Sequence, residues 1–201
     1  MQAETIAFAA PGGELEGAWR PGRGGGAVVA PPHPLYGGHL DHPVVHAICD
    51  ALAHAGLATL AFNWRGVGAS NGAPSGELAD ADADFGAALA ELARRGAAAP
   101  LVGAGYSFGA ATALRAADGV ARLVLVAPPV AMVGADDLRR CTKPLVVVAG
   151  DADDYAPAGA VAALMPKRAD ARLAILPRVD HFFAAPEALA RLAEALGEMP
   201  P

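Results

Sequence analysis

Three short stretches of this sequence carry side chains that together could open an acyl bond. Gly105-Tyr106-Ser107-Phe108-Gly109 sets a serine between glycines two residues to either side. That spacing suits a sharp strand-to-helix turn that lifts a hydroxyl clear of the backbone, and a helix start behind Ser107 favours negative charge nearby. Gly150-Asp151-Ala152-Asp153-Asp154-Tyr155-Ala156-Pro157 gathers three carboxylates directly after an apolar run. Val179-Asp180-His181-Phe182-Phe183 holds the one histidine of six that comes late in the chain and follows a strand-like segment. A serine nucleophile needs a base to take its proton. The base in turn needs an acid to accept its other N–H and stabilise the imidazolium formed during turnover. Serine, acid and histidine occur here in that order.

A fourth stretch follows the apolar run Ala27–Ala30, namely Pro31-Pro32-His33-Pro34-Leu35-Tyr36-Gly37-Gly38. Acyl transfer calls for two backbone N–H groups aimed at the developing oxyanion, one from the residue after the nucleophile, here Phe108, and one from such a loop. Pro31, Pro32 and Pro34 have no N–H. Position relative to the strand favours the amide of His33, with Leu35 second. Tyr36 and Phe182, in loops beside these residues, could line an acyl pocket or pack in the core.

Each signal has a plainer reading. G-x-S-x-G arises by chance in a chain with 24 glycines, and gains meaning only between a strand and a helix. Gly103-Ala104-Gly105 with Gly109 also resembles a dinucleotide-binding loop. That motif wants an acid at the end of the next strand, where this chain has Pro128-Pro129. The three aspartates could simply cap a helix, a role that suits Asp154. His39, Asp41, His42 and His46 cluster with His42 and His46 four apart, but H-E-x-x-H is absent, and a polar helix start is preferred to a zinc site. No metal and no cofactor are expected. Trp19 and Trp64 read as packing residues.

Elements able to bring these stretches together follow from apolar periodicity. Thr5–Phe8 and Glu14–Trp19 flank Pro11-Gly12-Gly13 and predict an antiparallel hairpin. Candidate buried strands are Ala27–Ala30, Ala58–Phe62, Leu101–Tyr106, Arg122–Ala127, Leu145–Ala149 and Arg172–Leu176. Helical spacing marks Pro43–Ala55, Leu78–Arg94, Ser107–Ala117, Pro157–Leu164 and Pro186–Leu196, with Pro157 and Pro186 in first turns. Asp80, Asp82 and Asp84 fall near the start of their helix, where its dipole favours carboxylates. Alternating strands and helices predict an α/β fold, a mostly parallel sheet with helices on both faces and one domain over residues 1–201. Ligands of such sheets bind at the carboxyl ends of strands, and all four stretches lie there.

Composition narrows the function. The chain has 201 residues, 54% hydrophobic but only 5% aromatic, with a net charge of −6. Phosphate binding needs clustered Lys and Arg, so a nucleic-acid partner is not expected. Nor is a membrane partner, since no apolar stretch approaches the ~20 residues that span a bilayer. The N-terminus lacks the pattern of a signal peptide. Cys49 and Cys141 match no metal or redox spacing and read as reduced core thiols of a cytoplasmic protein.

Taken together, the motifs PHPLYGG at 32–38, FNWRGVGASNG at 62–72, GYSFG at 105–109, GDADDYAP at 150–157 and DHFF at 180–183 resemble the α/β-hydrolase superfamily. The resemblance is in particular to its small capless bacterial members near dienelactone hydrolase. The resemblance spans nearly the whole chain and implies the α/β-hydrolase fold with a Ser107–Asp153–His181 triad. The family's G-x-x-D arrangement maps the acid onto Asp153, with Asp151 as the fallback. The arginine–glycine block Phe62–Gly72 is implied to frame the site. Two positions depart from the pattern: Pro31, where histidine is common, and Ala156, where valine is usual. About 16 residues separate Ala127 from Lys143, room for a short helix around Asp136–Arg140 but not for a helical lid. The implied activity is that of an uncapped carboxylesterase-like enzyme acting on a small-molecule acyl substrate. A thioesterase, lactone hydrolase or peptidase on the same site is the alternative, as is a non-catalytic binding protein of the same fold. A homodimer is compatible with this reading.

Overall fold

A computed structural model describes residues 3–97 and 99–198. β1 (Glu4–Ala10) and β2 (Gly13–Arg20) form the hairpin, in register from Glu4 opposite Trp19 to Ala10 opposite Gly13. Their buried residues alternate, Ile6 and Phe8 on one strand and Leu15, Gly17 and Trp19 on the other, as strands with one solvated face require. Six further strands follow: β3 (Gly26–Ala30), β4 (Ala58–Phe62), β5 (Leu101–Tyr106), β6 (Arg122–Val126), β7 (Leu145–Gly150) and β8 (Ala171–Leu176). β3 and β4 are buried at every residue, the mark of strands covered on both faces. The limits of β3 to β8 agree with the apolar runs to within a residue.

The sheet order is β1-β2-β4-β3-β5-β6-β7-β8. β2 pairs antiparallel with both β1 and β4, and every other pair is parallel. The chain runs outward one way from β3 to β4 and then returns past it to β5, so the crevice between β3 and β5 is the topological switch point. Ala30 lies opposite Gly105 there. The segments that follow residues 30 and 106 therefore leave the sheet side by side.

Helices α1 (Pro43–His54), α2 (Leu78–Arg94), α3 (Phe108–Arg115), α4 (Ala135–Arg140), α5 (Ala158–Leu164) and α6 (Ala188–Gly197) flank the sheet. α1 packs on α6, while α2, α3, α4 and α5 pack in series, which covers both faces. Three helix starts differ from expectation. Ser107 stands just outside α3 at φ 54°, because the turn demands a left-handed residue where a helix would need a right-handed one. Pro157 is the residue before α5, with extended ψ 124°. α6 begins at Ala188, two residues past Pro186.

The aspartates of α2 do more than face its dipole. Residues 80 and 84 share one side of a helix and residue 82 lies on another. Arg65 pairs with Asp80 at 2.5 Å and Asp84 at 2.7 Å, and Arg115 pairs with Asp82 at 2.5 Å. Asp84 is buried, and its Oδ2 also accepts the Arg65 backbone N–H at 3.0 Å. This ion pair ties the loop after β4 to α2. Between β6 and β7 the chain forms α4 alone, which packs against α3 and α5. The fold is capless.

Candidate active site

The elbow around Ser107 is tight for steric reasons. A Cβ at position 105 would meet the Gly109 backbone at 2.3 Å, and one at 109 would meet the Ala30 carbonyl oxygen at 2.3 Å. Only glycines allow α3 to start this close to the ends of β3 and β5. Ser107 takes φ 54° and ψ −116°, held there by its own N–H donating to the Val126 carbonyl at 2.9 Å. The hydroxyl is thereby presented above the sheet at the switch point.

His181 must come from much farther away. Its loop follows β8, three strands from β5, or roughly 14 Å at ~4.8 Å per strand. Two contacts draw it back. The Tyr106 hydroxyl donates to the His181 carbonyl at 2.6 Å, and burial, aided by the charges of Asp153 and Asp180, raises the phenol's pKa so that it stays a donor. The loops after β7 and β8 are also joined: Asp151 N–H donates to Leu176 O at 3.0 Å and Ala152 N–H to Val179 O at 3.1 Å.

The result is a continuous relay. Ser107 Oγ lies 3.0 Å from His181 Nε2. His181 Nδ1 lies 2.9 Å from Asp153 Oδ2 and 3.0 Å from Oδ1. Asp153 is fully buried, and its Oδ1 accepts the N–H groups of Tyr155 at 2.8 Å and Ala156 at 2.7 Å. Asp151 turns elsewhere, its Oδ1 accepting the Arg178 N–H at 2.5 Å. The Tyr155 ring packs on the imidazole at 4.7 Å between centroids.

On the β3 side, His33 caps a single 3-10 turn over Pro34–Tyr36. Its ring Nδ1 accepts the Leu35 N–H at 3.2 Å, so that amide is already engaged. The His33 and Phe108 N–H groups donate to no protein acceptor among the described residues. The two rings meet at 4.7 Å between centroids, tilted by 59°, bringing the loop against the elbow. A cleft of about 600 Å³ opens over Ser107 and His181, and Tyr36 and Phe182 both line it. Its other walls include Pro129, Met132, Tyr155 and His42; of these four, sequence reasoning singled out only His42, as part of a polar helix start. His42 caps α1 through Nδ1, accepting Val44 N–H at 3.2 Å. Burial first, then His39 and His46, lowers the pKa of His42, and burial lowers that of His33. His46 stands 3.5 Å from Asp41 on the exposed side of α1.

Comparison with known proteins fixes the family. Residues 36–143 match the family model described as serine aminopeptidase, S33. An uncharacterized protein of Rickettsia prowazekii is 31% identical over 198 residues, covering 89% of this chain and 81% of that one. This chain belongs to the α/β serine hydrolase family. An α/β serine hydrolase homologue from Coxiella burnetii superposes with a TM-score of 0.87 at 31% identity, over 98% of this chain and 97% of its own. A Xanthomonas campestris protein described as an α/β serine hydrolase without lid gives a TM-score of 0.82 at 29% identity, over 98% and 92%. The segment matched by the family model contains Ser107 and ends before the loops of Asp153 and His181.

Proposed function

We propose that this hydrolase cleaves small uncharged carboxylic esters through an acyl-enzyme on Ser107. The observation that carries the reading is the unbroken set of contacts from Ser107 Oγ through His181 to buried Asp153, at 3.0 and 2.9 Å, on the floor of the cleft. His181 Nε2 takes the hydroxyl proton as Oγ attacks the ester carbon. The oxyanion is held by the N–H groups of Phe108 and His33, and the imidazolium by Asp153. Collapse expels the alcohol, which takes the proton from Nε2. Water, deprotonated by the same imidazole, then releases the acid and restores Ser107.

The cleft favours an ester over a peptide N-terminus. A free α-ammonium group calls for a carboxylate partner, and among the described residues lining the cleft there is no Asp, Glu, Lys or Arg. Four of the five exposed large apolar side chains among the described residues, Leu35, Tyr36, Tyr155 and Phe182, stand on its loops. They suit an apolar acyl or alcohol group that protrudes from an uncovered site. We further propose that the chain works as one unit in a reducing, cytoplasmic compartment, as its two free buried thiols suggest.

The test uses p-nitrophenyl esters of increasing acyl length together with a fluorophosphonate probe. We expect turnover and labelling by the native protein and loss of both in Ser107→Ala. Labelling without turnover on any ester redirects the reading to thioesters or lactones. A native protein that neither labels nor turns over is a binding scaffold.

A further inference from the structure

We propose that Trp64 is a positioning residue for the oxyanion hole, and that it aims the His33 N–H by gripping the other end of the same peptide plane. The inference rests on the reading of Ser107 as nucleophile. Trp64 is 1% exposed. Its indole N–H donates to the carbonyl of Pro32 at 2.9 Å and shares that bond with the carbonyl of Pro31 at 3.2 Å.

Pro32 C=O and His33 N–H belong to one planar peptide unit, which is trans here. In a trans peptide the C=O and N–H point in opposite directions. Anchoring the oxygen therefore fixes where the hydrogen points. Prolines at 31, 32 and 34 leave the His33 N–H as the one amide hydrogen of residues 31–34, so the orientation of this stretch depends on what its carbonyls accept. Polarising the carbonyl also strengthens the opposite N–H as a donor, because hydrogen bonds in a chain reinforce one another.

The same side chain braces the second donor. The Trp64 ring meets the Phe108 ring edge-on, at 5.4 Å and 80°, and Phe108 supplies the other N–H. Phe62 also meets the indole edge-on, at 4.8 Å and 82°. One buried residue from the loop after β4 thus touches both halves of the proposed hole, while contributing no atom to the cleft lining.

The experiment compares Trp64→Phe, which keeps an aromatic ring but loses the N–H, with the native enzyme on the best p-nitrophenyl ester. Complete loss of an oxyanion donor costs about 10²–10³-fold in kcat. A donor left in place but loosened should cost about ten- to thirty-fold, with KM within about twofold. Affinity for a boronic acid that forms the tetrahedral adduct on Ser107 should fall in parallel, which a general loss of packing does not require. Because the smaller ring leaves a void, the same measurements are made with 3-benzothienylalanine at position 64, which keeps the bicyclic shape and lacks the N–H. Native kcat and boronate affinity in either folded variant overturn the positioning role alone. A native protein with no Ser107-dependent turnover overturns the hydrolase reading, and this one with it.

Discussion

Replacing Asp153 by Asn tests the proposed mechanism at the residue with the most constrained surroundings. Oδ1 of Asp153 accepts two backbone N–H groups, from Tyr155 and Ala156. An amide at 153 must keep its oxygen there, since turning its NH2 toward those donors would set it against both N–H groups. The NH2 then occupies the place of Oδ2 and faces His181 Nδ1 at about the present 2.9 Å. Oδ1, 3.0 Å from Nδ1, already accepts two backbone N–H groups, and two donors cannot share the shorter contact, so the imidazole takes the tautomer with its proton on Nε2. That nitrogen is the one that must accept the proton of Ser107, 3.0 Å away. The wrong tautomer costs about 10⁴-fold in kcat by the serine-protease precedent, equivalent to about 5 kcal/mol of transition-state stabilisation. The assay is steady-state hydrolysis of p-nitrophenyl acetate by Asp153→Asn. Asp151→Asn serves as control, because an amide oxygen can still accept the Arg178 N–H and should leave turnover near native. A fall of less than tenfold at 153, or an equal fall at 151, refutes the reasoning.

Three further outcomes follow from the surroundings of other residues. Asp84→Ala strands the half-paired Arg65 guanidinium beside a void, and should lower stability by about 3 kcal/mol or more in urea unfolding; a loss below about 1 kcal/mol refutes a structural role for the pair. Glu91 is buried and held below the usual carboxylate range, chiefly by Arg94 and then by Arg95 against the cost of burial. Its contribution is complete above its unfolded pKa and fades as pH falls through the lower folded value, so Glu91→Gln should be less stable than the native protein at pH 7, by a margin that narrows as pH falls below the usual carboxylate range. Burial pushes the Cys49 thiol up to about 12, which leaves on the order of one thiolate in 10⁴ at pH 8. Iodoacetamide should leave Cys49 unmodified in the native protein and alkylate it in 8 M urea, read by peptide mass spectrometry.

The central strands were legible because burial on both faces leaves few polar residues to interrupt them: Ala27–Ala30 has none, and Ala58–Phe62 has only Thr59. The glycines of the elbow were legible because the contacts that require them fall at fixed positions in one short motif. What stayed hidden depends on partners remote in the chain or on a side-chain orientation. Trp64 reads as a packing residue until the Pro31 and Pro32 carbonyls, more than 30 positions earlier, come within reach of its N–H. The aspartates of α2 read as dipole partners because nothing local points to Arg65 or Arg115 across the gap. On paper, position relative to the strand favoured His33 over Leu35 as the donor, with no contact to decide between them. The contact between the His33 ring and the Leu35 N–H is what separates them.

A capless cleft sets a particular demand on this site. Enzymes that close a lid gain electrostatic strength by expelling water at the moment of reaction. With no lid, the proposed donors and acid must be held in place beforehand, since bulk water would otherwise compete for each of them. The bracing meets that demand from below the site. Gly109 lets α3 abut the Ala30 carbonyl, Trp64 clasps the loop of His33, and Tyr106 holds the carbonyl of His181. Asp153 is closed off on the sheet side with two N–H groups on one oxygen. Rigidity beneath Ser107 thus stands in for a cover above it. The exposed rim of Tyr36, Tyr155 and Phe182 is then free to receive substrates that a lid would exclude.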